Sequence, residues 1–289
     1  MITNLDLESM EVESTAKRPK NLWSIAIDPL TMSEAIARIR FWITRSEPIC
    51  RFVVTPNVDH VVQLYRKPEL QTIYNNASLT LADGWPLVTM SRFYGKALPE
   101  RVAGSDLLPA LCEDFHRLGS PLRLYLVGGR PGVPERAASN IRLQWPTVSV
   151  VGCSSPPFGF EHDTFFNRHL CEQINAARAD VLVLGLGSPK QELWLNQNRD
   201  LLTAPVALAI GGTIDFLAGE QRRAPRWMQS INLEWLHRLA TNPRRLAKRY
   251  ALDAIYFPWI CAVEKFRSKT VNRSEANSPF SIERGRGLG

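Results

Sequence analysis

Several common catalytic and metal-binding patterns are missing from this sequence. Its five cysteines and five histidines form no Cys-x-x-Cys or His-x-x-His pair, which argues against a zinc site and a disulfide framework. We therefore expect the histidines to have surface or helix-packing roles. No Gly-x-Ser-x-Gly elbow occurs, and no two aspartates are separated by a single residue. Because many nucleotide-sugar enzymes hold a divalent metal with an Asp-x-Asp element, we expect neither a metal nor a cofactor.

Long apolar runs are also missing. The longest, residues 250–263, contains Asp253 and Pro258 and is too short to cross a bilayer. Residues 1–20 have no apolar core of the kind found in signal peptides, so they are predicted to be a disordered lead. Together with the scattered cysteines, this indicates a reducing cytoplasm.

Charge is distributed unevenly along the 289 residues. The net charge is +7, yet residues 217–289 hold 14 Lys and Arg against 6 Asp and Glu, which leaves the rest of the chain almost neutral. A basic carboxyl-terminal quarter on a neutral body implies a local anionic partner: nucleic acid, acidic lipid or a phosphorylated substrate.

Short apolar runs alternate with helical patterns through most of the chain. Four runs in the second half stop just before Gly128, Gly152, Gly185 and Gly211. Continuous Val, Leu and Ile runs of this kind are typical of parallel strands buried on both faces. The predicted fold class is α/β, a Rossmann-like, mostly parallel sheet flanked by helices with a carboxyl-terminal basic amphipathic helical appendage. We also predict one strand over residues 22–27 and a helix capped by Ser105.

The predicted domain organisation has four parts: the lead (1–20), an α/β core (21–240), the helical appendage (241–266) and a disordered tail (267–289). Pro243 suits the first turn of a helix. A basic amphipathic helix with aromatics indicates a segment that lies on an anionic membrane surface. The alternative is a solvated last helix packed on its own domain. Nucleic acid is less favoured, because the aromatics cluster with aliphatics and not among the cations.

An anion site is predicted where residues 185–192, GLGSPKQE, follow an apolar run and open a helix. Free backbone amides and the positive end of the helix dipole then point at one spot, which suits a phosphate. The spacing matches neither the dinucleotide fingerprint nor a Walker loop. The nucleotide-binding candidates here are Gly187, Ser188 and Lys190. The alternative is a turn punctuated by glycine, with Lys190 at an ordinary exposed helix position.

Polar residues follow several predicted strands and are expected to meet at the carboxyl edge of the sheet. Asp83 is either a helix cap or a general base that accepts a proton from an attacking hydroxyl. Thr55 and Asn57 have turn chemistry as their alternative. Gln191 lies in the first turn of a helix, where the alternative to a site role is an ordinary exposed position. Asp215 is either a turn residue or an acceptor for a base or ribose.

Nine segments, in order, resemble motifs of the WecG/TagA/CpsF glycosyltransferases, and the resemblance covers about residues 22–265. The segments are TPNVDH (55–60), ADG (82–84), RVAGSD (101–106), LVGG (126–129), GLGSPKQE (185–192), GGTIDF (211–216), RAP (223–225), LEW (233–235) and PRRL (243–246).

This resemblance implies an inverting, metal-independent enzyme that moves a hexosyl unit, of N-acetylmannosamine or glucose type, from a UDP-sugar to a polyprenyl-diphosphate-linked sugar. Such chemistry belongs to bacterial surface or exopolysaccharide biosynthesis. Asp83 matches the family's catalytic base. The other implied roles are substrate binding by Thr55, Asn57 and Gln191, a nucleotide contact by Asp215, and contact with lipid diphosphate and membrane by Arg244, Arg245 and Arg249.

The partners expected on this basis are the UDP-sugar donor, the lipid-linked acceptor and the inner-membrane surface, without nucleic acid; homo-oligomerisation is left open. The expected location is cytoplasmic, peripheral on the inner face of the plasma membrane. One rival is a nicotinamide-dependent oxidoreductase using the turn at Gly185, which lacks the acidic ribose partner expected about 20 residues further on. A second rival is a non-catalytic module that binds membrane or nucleic acid.

Overall fold

The computed structural model describes residues 17–276 apart from residues 46, 48, 222, 223, 226 and 229–232. The side chains of Arg245 and of residues 267–276 are not described. Of the predicted lead and tail, residues 1–16 and 277–289 lie outside this range.

The described strands form a two-stranded antiparallel sheet and a six-stranded parallel sheet. In chain order they are β1 (Lys20–Leu22), β2 (Ile25–Ile27), β3 (Arg51–Val54), β4 (Leu79–Thr80), β5 (Leu122–Gly128), β6 (Val148–Ser154), β7 (Val181–Gly185) and β8 (Val206–Ala209). The large sheet has the order β4-β3-β8-β7-β5-β6, with every neighbouring pair parallel. The prediction of an α/β fold with a parallel sheet is confirmed.

Helices cover both faces of this sheet. In chain order they are α1 (Met32–Thr44), α2 (Val58–Arg66), α3 (Glu69–Asn75), α4 (Trp85–Phe93), α5 (Gly104–Arg117), α6 (Val133–Gln144), α7 (Thr164–Ala176), α8 (Lys190–Asn198), α9 (Thr213–Leu217), α10 (Glu234–Thr241) and α11 (Pro243–Ala276).

The strands are apolar on both sides because successive side chains point to opposite faces of the sheet. Phe52 and Val54 of β3 belong to one core, shared with α2, α3, α7, α8 and part of α11. Val53, between them, belongs to a second core shared with α1, α5, α6 and α9. In β7, Leu182 and Val183 divide between the two cores in the same way. Burial on two faces accounts for the continuous apolar runs in the sequence.

The strand order brings four loops together. β4, β3, β8 and β7 are consecutive neighbours, so their carboxyl ends lie within about 14 Å of one another along the sheet edge. The loops that follow them carry Asp83, Thr55, Gly211 and Gly187, respectively. Residues far apart in sequence are therefore gathered at one end of the sheet.

Two local predictions are wrong. Residues 22–27 form a tight hairpin between β1 and β2 and not one strand, because Trp23 and Ser24 adopt positive φ values of 52° and 65°. Paired positive φ angles are those of a hairpin turn, normally signalled by Asn or Gly, and neither residue type stands here. Ser105 does not cap α5, which begins at Gly104 after Ala103 and has no side-chain cap hydrogen bond.

The last helix packs on the core along part of its length. Phe257, Ile260 and Cys261 are buried, and the Tyr94 hydroxyl donates to the Cys261 carbonyl at 3.0 Å. The helix continues to Ala276, further than the predicted end of the appendage at residue 266. None of the helices in the described part of the chain combines the length and apolar character needed to cross a membrane.

Candidate active site

Two adjoining cavities open at the carboxyl end of the sheet. The polar cavity, of about 180 Å³, lies over the ends of β3, β7 and β8. The wide cavity, of about 380 Å³, lies between α4 and the helices α10 and α11. The residues that line both are Asn57, Asp59, Asp83, Ser105, Arg238 and Arg249. These six side chains therefore stand where a ligand in one cavity meets a ligand in the other.

Backbone hydrogen bonds fix Asp83 on this shared wall. The Asp83 amide donates to the Pro56 carbonyl at 2.8 Å, which ties its loop to the loop after β3. The Val102 amide donates to the Ala82 carbonyl at 2.9 Å, which ties it to the segment before α5. Gly84 follows with a φ of +149°, which other residues rarely adopt. The helix-cap interpretation of Asp83 is not supported, because α4 has no side-chain cap hydrogen bond.

The surroundings of Asp83 raise its pKa to about 7, mainly because burial disfavours the charged carboxylate. Positive charge on Arg101 and Arg238 lowers the pKa, while negative charge on Glu234 and Asp106 raises it. Arg101 lies between these acids, 2.8 Å from Asp106 Oδ2 and 3.6 Å from Glu234 Oε2. A carboxyl group that titrates near neutrality in a cavity suits a general base.

Thr55 and Asn57 both line the polar cavity, in the loop between β3 and α2. The Asn57 side chain also caps α2: its Oδ1 accepts from the His60 amide at 3.4 Å. Thr55 is buried beside the start of α5, where Gly104 makes a close approach possible. A Cβ on Gly104 would lie 2.9 Å from Thr55 Oγ1 and 2.8 Å from Ile210. Asn57 thus combines a local capping role with a place in the cavity.

Gln191 is almost completely buried at the start of α8 and lines the polar cavity. Its Oε1 accepts from the Gly211 amide at 3.1 Å, and its Nε2 donates to Glu192 Oε1 at 3.0 Å. Behind it, Glu192 Oε1 lies 3.8 Å from His60 Nε2. Burial lowers the pKa of His60, which favours the neutral imidazole. The exposed position considered for Gln191 is therefore wrong. His60 has the helix-packing role expected of the histidines, in the capping box of α2, and it also lines the polar cavity.

Only part of the predicted anion site lines a cavity. Gly187 and Ser188 line the polar cavity, as does Asp215 in the first turn of α9. Lys190 does not line either cavity: its ammonium lies 2.8 Å from Glu161 and over the rings of Phe158 and Phe160. The carboxylate of Glu161 therefore neutralises the cation that the sequence indicated for a phosphate.

The two cations that line both cavities come from the last two helices. Arg238 of α10 and Arg249 of α11 line both, and Arg249 Nε lies 3.6 Å from Asp59 Oδ1. Arg244 is exposed and lines neither cavity, while the side chain of Arg245 lies outside the described residues. In the described parts of the chain, no group of three or more His, Cys, Asp and Glu residues is placed to hold a metal ion.

Sequence reasoning missed several residues of this site. Arg101, Ser105 and Glu234 belong to the RVAGSD and LEW segments, but none of them was predicted to line a site. Arg238 follows Glu234 by four residues and so lies on the same helix face, which is a signal the sequence contained.

One known protein family matches most of the chain. The model of the family described as "Glycosyl transferase WecG/TagA/CpsF family" matches residues 20–271. The match includes all four loops at the sheet edge and both helices that enclose the wide cavity.

Proposed function

Because this chain belongs to the WecG/TagA/CpsF glycosyltransferase family, we propose that it transfers a hexosyl unit from a UDP-sugar to a polyprenyl-diphosphate-linked sugar with inversion. Family membership supports a sugar-nucleotide donor and a lipid-linked acceptor as the general substrate classes. The observation that carries the finer proposal is the position of Asp83 on the wall common to the two cavities.

The polar cavity suits the donor. Its floor is backbone and small side chains at strand ends, including Gly187, Gly211 and Gly212, which let a diphosphate approach main-chain amides. Arg238 and Arg249 bring positive charge to the same space. Asp215 is proposed as the nucleotide contact, with Thr55 and Asn57 beside the donor sugar.

The wide cavity suits the acceptor. Trp85, Trp235, Tyr250 and Phe257 line it, so an apolar or aromatic-stacking ligand is favoured over a free diphosphate. Its size falls in the range of about 300–1,000 Å³ that is usual for small-molecule sites. An acceptor sugar held here would present a hydroxyl to Asp83 while its lipid leaves along α11.

The reaction follows from this arrangement. Asp83 takes the proton of the acceptor hydroxyl, and the hydroxyl oxygen forms a bond to the anomeric carbon of the donor. The bond from that carbon to the diphosphate oxygen breaks on the opposite face, and UDP leaves with the electron pair. Arg238, Arg249 and backbone amides stabilise the departing charge, each donor contributing about 3 kcal/mol at the transition state. No metal is assigned a step.

The described carboxyl-terminal helices support a place at the membrane surface. Trp235, Ile255, Trp259 and Phe266 are exposed on α10 and α11, close in sequence to the exposed cations of Arg244 and Lys248. Exposed aromatics beside cations favour contact with anionic headgroups. We place the enzyme on the inner face of a bacterial plasma membrane, in surface or exopolysaccharide biosynthesis.

A substrate panel tests this function. The full chain is incubated with UDP-hexoses, including glucose and N-acetylmannosamine types, and a short-chain prenyl-diphosphate-linked sugar, with and without a chelator. We expect one donor to yield a product of inverted anomeric configuration, at a rate that the chelator leaves unchanged. UDP should raise the melting temperature whereas NAD should not. Stabilisation by NAD alone, or no transfer from any UDP-sugar, would overturn the proposal.

A further inference from the structure

One buried carboxylate in the wide cavity has no assigned task. Asp253, on α11, is 8% exposed and lines the wide cavity. Its Oδ1 is buried and has no hydrogen-bond partner within the described structure. A buried acceptor without a donor lowers stability, so its retention calls for an explanation.

Neighbouring groups in the described part of the chain do not supply the missing donor. The charged residues that act on Asp253 are Asp59 of α2, which repels it, and Arg249 of α11, which attracts it. Arg249 Nε itself lies 3.6 Å from Asp59 Oδ1. Burial, followed by the charge of Asp59, raises the pKa of Asp253 to about 7. An oxygen in this position gains most from a hydroxyl or amide that arrives with a ligand.

The location of Asp253 decides which substrate it meets. Asp83 lines both cavities, whereas Asp253 lines only the wide one. Asp253 is therefore separated from the donor cavity and lies among the aromatic side chains of Tyr250 and Phe257 on its own helix. A prenyl chain has no hydrogen-bond donor, so the group that contacts Asp253 belongs to the sugar end of the acceptor.

We propose that Asp253 is a specificity-determining residue that accepts a hydrogen bond from a ring hydroxyl or amide of the acceptor sugar. The inference rests on the proposed function. On this proposal the last helix recognises the acceptor sugar in addition to contacting the membrane. A site that hydrogen-bonds a substrate hydroxyl rejects analogues without it, because the protein group is then left unpaired.

The first test compares Asp253→Leu and Asp253→Asn with the wild-type full chain. Asp253→Leu should raise the KM for the acceptor roughly tenfold to a hundredfold, the range expected for a hydrogen bond to a charged group, and leave the KM for the UDP-sugar within about twofold. Asp253→Asn, which keeps an oxygen acceptor, should have the smaller effect. Glu264→Gln is the matched control, since Glu264 stands on the same helix and lines neither cavity.

Melting temperatures separate recognition from packing. Replacing an unpaired buried carboxylate with leucine of similar size should leave the melting temperature equal or higher. A purely structural Asp253 would instead lower it and change both KM values together. A rise in the acceptor KM without loss of stability supports the inference.

Acceptor analogues give a second, independent readout. Wild-type enzyme should lose efficiency with one particular deoxy acceptor, and Asp253→Leu should be indifferent to the same change, because the pair interaction is already gone. If the wild type transfers sugar but Asp253→Leu keeps the acceptor KM and the deoxy preference, the inference alone falls. If the wild type transfers to no prenyl-diphosphate-linked sugar, the proposed function falls and the inference with it.

Discussion

The side-chain oxygen of Gln191 accepts a hydrogen bond from the Gly211 amide at 3.1 Å, which joins the start of α8 to the loop after β8. Two neighbouring strand ends are thereby held at a fixed separation under the polar cavity. The side-chain nitrogen of Gln191 donates to Glu192 Oε1, so both polar atoms of this side chain have protein partners. Gln191 thus supports the cavity as well as lining it.

Replacing Gln191 with leucine should lower both the stability of the protein and its affinity for UDP. The Gly211 amide would lose its acceptor in a part-buried place, which costs about 1–3 kcal/mol and lowers the melting temperature by several degrees. UDP affinity, measured by calorimetry, should fall as well. Gln173→Leu, at an exposed position on α7, is the control and should change neither quantity. Normal melting and normal UDP affinity in Gln191→Leu would show that the bond to Gly211 is dispensable.

Asp83→Asn should stop turnover without removing donor binding. Loss of a general base reduces the rate by about a hundredfold or more, while UDP affinity should stay within about twofold. Because burial raises the pKa of Asp83 from 3.8 to about 7, its ionisation lowers stability progressively between these pH values. Above pH 7, where this loss is complete, the neutral asparagine should not lower the melting temperature. Asp200→Asn, with a side chain 93% exposed, is the control. A wild-type rate in Asp83→Asn would refute the base assignment.

The pH dependence of kcat/KM should report the same carboxyl group. A base must be deprotonated, so the rate should rise with pH and reach half of its plateau near pH 7, the pKa of Asp83. Arg101 lowers this pKa, and Glu234 raises it. Arg101→Gln should therefore move the rise to higher pH, and Glu234→Gln should move it to lower pH. Identical profiles in the wild type and both variants would mean that another group titrates.

The fold class and several residues of the polar cavity were predictable because parallel strands share a carboxyl edge. Any polar residue just after such a strand, as Thr55 and Asp83 are, is directed to that edge. The order of the strands, which decides which loops are neighbours, could not be predicted from the sequence. The apolar runs of β7 and β8 are too alike to reveal their positions.

Side-chain partners were the harder part of the prediction. Lys190 occupies the first turn of a helix at a strand end, yet its ammonium lies beside Glu161, a residue of a distant loop. Arg238 faces both cavities because α10 packs over the strand ends, a tertiary contact that helical periodicity does not specify. The local sequence pattern thus predicted that the site lies at the carboxyl edge of the sheet. It did not predict which cationic side chains line that site.

A methyl group at Gly104 should disturb the wall of the polar cavity. An added Cβ would lie 2.8 Å from Ile210 and 2.9 Å from Thr55 Oγ1, so Gly104→Ala should cost about 1–3 kcal/mol in unfolding free energy. Gly212→Ala is the control for denaturant unfolding, since no atom lies within 4 Å of its added Cβ and its φ is −69°. Equal stability of the two variants would contradict the close approach of α5 to Ile210, just after β8.

Exposed apolar side chains on α11 should govern membrane binding. Ile255 and Phe266 are 68% and 72% exposed, and inserting each into the headgroup region gains up to about 1.5–3 kcal/mol. The double variant Ile255→Ser, Phe266→Ser should therefore co-sediment with phosphatidylglycerol-containing vesicles at least about tenfold less than the wild type. Because these side chains are exposed, its melting temperature should not change.

The matched control for that experiment is Leu143→Ser, Phe165→Ser, which removes two apolar side chains that are each 82% exposed on α6 and α7. If apolar exposure alone drove association, this variant would lose as much binding as the first. We expect it to bind like the wild type, because no dense group of cations accompanies those helices. Raising the salt concentration should weaken wild-type binding, since the attraction of Arg244 and Lys248 to anionic lipid is screened within about 10 Å at 0.1 M salt. Equal vesicle binding by both double variants would place the membrane contact elsewhere on the protein.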